Sequence, residues 1–512
     1  MADSATHRVQ KKIFRGALAT VFSLGITTII GLVIMPMVVN HLGDRLYGVW
    51  VLVGTVTGYF AFLDLGLSKA VMRFVSQALG RGDREKADEW ISIALVCFGT
   101  LSGISILLSF GVWLGAPYFL SDPADARTIP LALLFALLAF SVTLPSRCFL
   151  GLLEAHVRKD VVSLIHVLIN IFRAVTIFFV IYHRGSLLGL VSVAAIYTVM
   201  DGLLITLSAR YVHGPFQFKV SALTVENIKI FSGYAFSSFV TQIMDIFRYK
   251  SYPLIITPYL GLAALTPFAI AERVMQMLVA VCNGILLNLT PAFSQLEGEA
   301  GVEGNEKLKK SYFFSYKLSC YLGVFSVGMA LILGASFIER WMGAKYLNAV
   351  PILYVLLVGI FFSLIQIPTL CFLFAVSRHK FYAVTNTLHA ILSIVLCLFL
   401  IVPFKLLGVA LGVSLATFFI KFMVQPIGVL PLIEMKITEY HIKKTFPNIL
   451  IPSFFIFCYY MSAKRFFSPD YKVIFIAGIV SMILFLLYIF IFGFDKNEKN
   501  MLLNVLKPSL KK

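Results

Sequence analysis

The sequence predicts an all-α polytopic membrane protein with about 14 transmembrane helices, set out as two pseudo-symmetric six-helix bundles plus two C-terminal helices. Three observations predict it. Of 512 residues, 59% are hydrophobic and only 13% are charged, about half the charged share of a soluble domain. The apolar runs have the length of about 20 residues that a helix needs to cross a hydrocarbon layer of about 30 Å, and they are too long and unbroken for barrel strands. Short strings also recur in the same order along the chain, the mark of an internal repeat.

In chain order the runs are Ala17–Val39, Tyr47–Leu67, Ile91–Leu114, Ile129–Leu150, Val161–Tyr182, Leu187–Ala209, Phe231–Ile256, Leu262–Ala292, Phe313–Phe337, Ala349–Val376, Tyr382–Val402, Leu406–Ile427, Ile449–Ala463 and Ile474–Gly493. The first follows Arg8, Lys11, Lys12 and Arg15. It exceeds the apolar core of about 7 to 15 residues of a signal peptide and lacks a small-residue exit, so it reads as an uncleaved span.

Orientation follows from the excess of Lys and Arg retained on the cytoplasmic side. With the N-terminus inside, the inner segments carry Lys69, Arg73, Arg81, Arg84 and Lys86, then Arg147, Arg158 and Lys159, then Arg210, Lys219 and Lys229. Further on they carry Lys307, Lys309 and Lys310, then Lys436, Lys443 and Lys444, and a basic tail ending in Lys511 and Lys512. The outer loops are poorer, with the hairpin near Lys464 and Lys472 the exception. Both termini are therefore expected on the cytoplasmic side.

The same asymmetry accounts for the formal charge of +18. In a soluble domain that charge suggests nucleic acid; here the inner loops require it, and no nucleic-acid partner is expected. The seven cysteines all lie in apolar stretches without C-x-x-C spacing, so they read as packing residues. No Walker A, H-E-x-x-H, G-x-S-x-G or dinucleotide fingerprint occurs, and no cofactor or enzymatic chemistry is expected. Gly54-x-x-x-Gly58, Gly99-x-x-x-Gly103 and Gly408-x-x-x-Gly412 are expected to mark close helix packing inside the monomer.

The repeat strings are Leu42-Gly43 and Leu260-Gly261, each preceded by a proline (Pro36, Pro253); Ile165–Asn170 and Leu388–Ser393; and Leu187–Leu190 and Leu406–Val409. They divide the chain into bundles at residues 1–215 and 216–433, with 434–512 as an extra helix pair and basic tail. Six spans per half give both halves the same orientation, as in parallel repeats. Such a layout suits alternating access through a cleft between bundles.

Polar residues inside the spans mark where the cleft lies. On the seventh span Tyr234, Ser238, Thr241, Asp245, Arg248 and Tyr252 follow one another at steps of three and four, forming one helical face. The fifth span repeats this with Ser163, His166, Asn170, Arg173 and Thr176, and the eighth with Glu272, Gln276, Asn283 and Thr290. Intramembrane charges cost about 2.5–3.5 kcal/mol each on insertion scales and face a bundle interior or a water-filled path. Arg173, Arg248, Lys250 and Arg273 are thus expected to line a cationic cavity for an anionic substrate, since guanidinium pairs well with phosphate oxygens. Asp245 tempers Arg248, and Glu272 offers a protonatable group. The competing expectation is that these groups are interhelical polar glue, and that Lys250 and Lys421 snorkel to the headgroups.

Leu42–Trp50 (LGDRLYGVW), Phe62–Leu67 (FLDLGL) and Arg73–Ser76 (RFVS) resemble the first two helices of bacterial polysaccharide flippases, the Wzx-type polysaccharide transporter branch of the multidrug/oligosaccharidyl-lipid/polysaccharide exporter superfamily. Pro267–Arg273 and Thr290–Ser294 are similar to that family's eighth helix. The resemblance implies two six-helix bundles around a cationic cavity that moves undecaprenyl-pyrophosphate-linked oligosaccharide between leaflets, coupled to a gradient of protons or sodium. Asp64 matches the family motif, while Arg248 and Arg273 fit the basic lumen by type and helix; Asp64 is expected to serve in coupling or gating, as are Asp245 and Glu272 from their place in the spans. A pseudo-twofold monomer already contains a complete pathway, so a monomer is expected, alone or with glycan polymerase machinery. Rival readings are a peptidoglycan-precursor (lipid II) flippase, a drug/cation antiporter, and a membrane-embedded glycan polymerase. The antiporter branch often carries an acid in its first helix, and Ala17–Val39 has none; a polymerase calls for a large outer loop, and the outer loops here are short.

Overall fold

The computed structural model describes residues 2–119, 125–235, 251–286, 302–376, 378–463 and 470–495, together with 239, 289, 293, 297, 498 and 499. No strand occurs among the described residues. Nine helical segments among them are long and apolar enough to cross a membrane, and a pair bent by 47° makes a tenth. The chain forms two compact units, Met1–Thr266 and Pro267–Lys512.

The first unit opens with α1 (Ala2–Phe60), which Gly43 interrupts with φ 74° and ψ 171°. A left-handed φ of this size is open to glycine and strained for a residue with a Cβ, so the break between the first two apolar runs is written at Gly43. Its repeat partner Gly261 takes nearly the same backbone, φ 80° and ψ 170°. The two turns meet: a Cβ on Gly48 would lie 1.9 Å from the Leu262 carbonyl oxygen, and Thr266 Oγ1 donates to the Asp44 carbonyl at 2.8 Å. Past Phe60 a short turn, Ala61–Asp64, leads through left-handed Leu65 and Gly66 into α2 (Leu67–Gly80).

The unit continues with α3 (Arg84–Gly115), α4 (Asp125–Thr143), α5 (Ser146–Ala155), α6 (Lys159–Tyr182), α7 (Leu187–His213), a helix over 225–235 (α8) and α9 (Tyr252–Leu260). The 47° bend separates α4 from α5 at Leu144-Pro145, where the ring removes an N–H from the ladder. Ser102 and Ser105 of α3 hydrogen-bond Ser141 of α4 at 2.7 and 2.6 Å. Small hydroxyl residues let such helices approach while satisfying one another in the apolar layer. Aromatic stacking ties α8 to the rest: Phe74 and Trp90 lie 4.5 Å apart, and Trp90 and Phe231 6.1 Å.

The second unit contains most of α10 (Leu265–Leu286), then α11 (Val302–Met342), α12 (Ala349–Ile365), α13 (Ile367–Ala375), α14 (His379–Thr417), α15 (Phe446–Ala463) and α16 (Tyr471–Tyr488). Lys405, at φ 52° and ψ −130°, splits α14 between two apolar runs. Between α14 and α15 the backbone widens into π turns at Phe418–Val424 and His441–Thr445. Three fully buried tyrosines anchor this irregular stretch: Tyr312 OH lies 2.9 Å from Thr369 Oγ1 and 3.0 Å from Tyr440 OH, and Tyr316 OH 3.0 Å from Thr445 Oγ1.

The glycine pairs divide in their use. Gly408 and Gly412 pack where close packing was expected, with added Cβ atoms 1.9 Å from the Leu400 oxygen and 2.6 Å from the Cys397 nitrogen. Gly54, Gly99 and Gly103 meet no atom within 4 Å among the described residues.

Candidate functional site

The fifth-span stripe is assembled in the first unit by α1, α6 and α7. Starting at one end of α6, buried Ser163 places its Oγ 3.4 Å from Thr20 Oγ1 of α1. One turn on, His166 Nε2 lies 3.6 Å from Asp201 Oδ2 of α7. Asn170 Nδ2 donates to Thr27 Oγ1 at 3.5 Å, and Arg173 Nη2 donates to Asn170 Oδ1 at 2.5 Å. Thr176 Oγ1 meets Tyr197 OH at 2.7 Å. These residues lie three and four apart, so one helix face carries them all over about 20 Å.

Arg173 is half-buried, held by Asn170, and the Asp201 carboxylate on the neighbouring helix acts on its charge electrostatically. An opposite charge nearby lowers the cost of holding a guanidinium partly out of water. The Asp201 carboxylate retains capacity: its Oδ1 is buried with no hydrogen-bond partner among the described residues. An acid, a base and an imidazole gathered on adjoining helices can carry a proton or order an anionic group against the guanidinium. The sequence reading passed over Asp201, although a lone carboxylate in the run Leu187–Ala209 was the available signal.

The other expected site residues separate. Asp245, Arg248 and Lys250 lie outside the described residues. Tyr234, the first member of their stripe, is described, and the Arg73 guanidinium sits 4.3 Å over its ring. Asp64 holds the α1–α2 turn: its Oδ1 accepts from the Ser68 amide at 3.1 Å and its Oδ2 from the Ser68 hydroxyl at 2.6 Å. In the second unit Glu272 is buried, and its Oε1 accepts from Gln276 Nε2 at 2.7 Å, one turn along the same face. Arg273, half-buried at the next position, makes no ion pair among the described residues.

Lys421 does not snorkel. It is 3% exposed in the π turn after α14, with Nζ 4.8 Å from the Tyr382 ring centroid, where a cation and an aromatic face attract. His389, in the string matched to that of His166, has its Nε2 3.0 Å from Thr417 Oγ1 on the following apolar run, a hydroxyl where His166 faces a carboxylate. A second polar cluster was not read from the sequence at all. Buried His213, at the end of α7, lies between Asp88 and His156.

A relative in Bacillus subtilis (strain 168), the uncharacterized membrane protein EpsK, is 34% identical over 99 residues. That stretch covers 19% of this chain and 18% of the relative, so the chain spans under a fifth of the length of the curated relative it matches. Among solved structures, the fold is similar to the lipid II flippase MurJ in an inward closed conformation, with TM-score 0.70 and 14% identity over 92% of this chain and 98% of that one. It is also similar to an inward-facing multidrug resistance MATE transporter of the MOP superfamily, with TM-score 0.66 and 14% identity over 81% of this chain and 97% of that one. The sequence model of the family described as polysaccharide biosynthesis protein matches residues 13–297, more than half of the chain and all of the polar stripe on α6. The chain belongs to the polysaccharide biosynthesis protein family.

Proposed function

We propose that the protein is a flippase that carries undecaprenyl-pyrophosphate-linked oligosaccharide, a polysaccharide or O-antigen repeat unit, across the bacterial cytoplasmic membrane by alternating access. The observation that carries the reading is the family match over residues 13–297 on a fold similar to that of a lipid flippase. The inward polar stripe of α6 supports it: Arg173 supplies a planar donor suited to a pyrophosphate oxygen, and Arg248, Lys250 and Arg273 are the other cations of the proposed path. Asp201 and His166 beside Arg173 join Glu272 and Asp245 as groups that would respond to a coupling proton or sodium ion. Asp64 acts as a gate element by fixing, through Ser68, the break between α1 and α2.

A second reading, transport of a peptidoglycan precursor, is favoured by the 92% coverage of this chain in the comparison with MurJ. One experiment tests both. Strains lacking either their polysaccharide flippase or their lipid II flippase receive the wild type, Arg173→Ala or Asp201→Asn at matched membrane levels, and lipid-linked intermediates are measured on each leaflet. Restored surface polysaccharide, with repeat units trapped inside in the variants, supports the proposal. Rescue of the lipid II strain alone replaces it with the second reading. Rescue of neither strain overturns both.

A further inference from the structure

We infer that Asp88, His213 and His156 form a proton-operated latch, which clasps the connection between α7 and α8 to α3 and releases it when the histidine pair takes up a second proton. The latch is separate from the polar stripe of α6. His213 is buried at the end of α7. On one side its Nε2 lies 3.0 Å from Asp88 Oδ1, and on the other its Nδ1 lies 3.1 Å from His156 Nε2. The second oxygen of Asp88 accepts the Gln217 amide at 3.0 Å, and Ser92 Oγ, one turn along α3, accepts the Lys219 amide at 2.9 Å. The histidine pair and the fastening of the connection therefore share one carboxylate. This end of the unit is the one expected on the cytoplasmic side, so the latch answers to cytoplasmic pH.

A hydrogen bond between two imidazole nitrogens holds one proton and no more. With both rings neutral, His156 donates to His213 and His213 donates to Asp88. A first added proton keeps one hydrogen in the contact and creates an imidazolium that the Asp88 carboxylate favours. A second puts hydrogens on both nitrogens 3.1 Å apart and like charges on rings whose centroids are 5.4 Å apart. The released connection carries no such conflict, so it binds the second proton more readily and gains on the latched state as pH falls.

The neighbouring charges are engaged with one another. On α3, Glu85 pairs with Lys219 of the connection, and Arg84 donates to the His213 and Pro215 carbonyls at 2.7 and 3.1 Å. On α5, Glu154 pairs with Lys69 of α2 at 3.4 Å and with Lys159 of α6 at 3.8 Å. Arg158 pairs with Asp160 at 3.1 Å, and Arg210 of α7 lies over the Phe149 ring. Side chains of these types ordinarily hold their charge between about pH 5.5 and 8, whereas histidine changes there. His156 is also the less free of the two rings. The turn after it is closed by the Val157 and Arg158 amides, which donate to the Glu154 and Leu153 carbonyls at 3.0 and 2.9 Å. Val157 is held there at φ 55°, a backbone that a β-branched residue resists. The end of α7 and the connection are the side that yields.

Hydrogen exchange of the full-length protein in neutral detergent is followed by mass spectrometry at about pH 8, 6.5 and 5.5, each rate divided by that of an unstructured chain at the same pH. Protection at Gln217 and Lys219 is expected to fall with pH, by up to about tenfold per pH unit for one added proton, while Val157 and Arg158 keep theirs. His156→Gln should retain the protection at about pH 5.5, because its amide offers either a donor or an acceptor to Nδ1 and takes up no charge. Asp88→Asn, which withdraws the carboxylate that favours the singly charged pair, should move the loss to higher pH. Constant protection of Gln217 and Lys219 in the wild type, an equal loss at Val157 and Arg158, or the same loss in His156→Gln as in the wild type would each overturn the inference.

Discussion

His213 bridges Asp88 and His156 at the end of α7: its Nε2 lies 3.0 Å from Asp88 Oδ1 and its Nδ1 3.1 Å from His156 Nε2. When Nε2–H donates to the carboxylate, Nδ1 is left to accept from His156. The segment that follows is held by the same groups. Asp88 Oδ2 accepts the Gln217 amide at 3.0 Å, Arg84 donates to the carbonyls of His213 and Pro215 at 2.7 and 3.1 Å, and Lys219 pairs with Glu85.

Asp88→Ala should therefore loosen the connection rather than the spans. It strips the acceptor from buried His213, at a cost of about 1–3 kcal/mol for a buried donor left unsatisfied, and from the Gln217 amide, which can turn to water. Unfolding temperature should fall, and limited proteolysis at 214–223 should accelerate; cleavage at the wild-type rate would show that other contacts hold the segment.

The charges of the polar stripe are expected to couple. Asp201→Ala removes the carboxylate that acts electrostatically on Arg173, and because the Asp201 side chain is 26% exposed the cost should fall below the about 3–5 kcal/mol of a fully buried pair. The double variant Asp201→Ala with Arg173→Ala removes both charges and should regain part of that loss, a non-additivity read from membrane levels and unfolding temperature. Additive losses would mean that the two side chains do not act on each other.

Gly48→Ala should be destabilising, because its Cβ would meet the Leu262 carbonyl oxygen at 1.9 Å, and overpacking costs about 1–3 kcal/mol. Gly54→Ala, about 1.7 turns along the same helix and with no described atom within 4 Å of an added Cβ, serves as control. Its thermal stability should match or slightly exceed the wild type, since alanine favours a helix over glycine.

Acid should destabilise the stretch around His441. The ring is buried 4.3 Å from Phe422, and neither nitrogen has a hydrogen-bond partner among the described residues. Burial lowers its pKa from the ordinary imidazole value. Below about pH 6.5 the unfolded chain then binds more protons than the folded one, so the contribution is complete above that pH and is lost as pH falls toward the folded value. Unfolding temperatures at about pH 7.5 and 5.5 should differ more for the wild type than for His441→Phe, which keeps the stacking; equal differences would exclude this histidine as the cause.

Much of the architecture was legible in the sequence because crossing a bilayer is a local demand. An apolar run such as Leu187–Ala209 must be a helix wherever it packs, since lipid satisfies none of its backbone groups. The break at Gly43 was legible for a similar reason, its backbone being one that a residue with a Cβ resists. The inward face of α6 also followed from spacing alone.

The partners of that face did not follow. Nothing in the chain pairs His166 with Asp201 or Asp88 with His213 across 125 positions, and the same composition would have allowed Lys421 to reach the headgroups instead of lying buried over Tyr382. The sequence by itself determined which segments leave water, because hydrophobic length is summed along the chain. Only the tertiary structure decided which polar side chains meet inside, because the cost of a buried charge depends on the groups that neighbouring helices bring within a few ångströms of it.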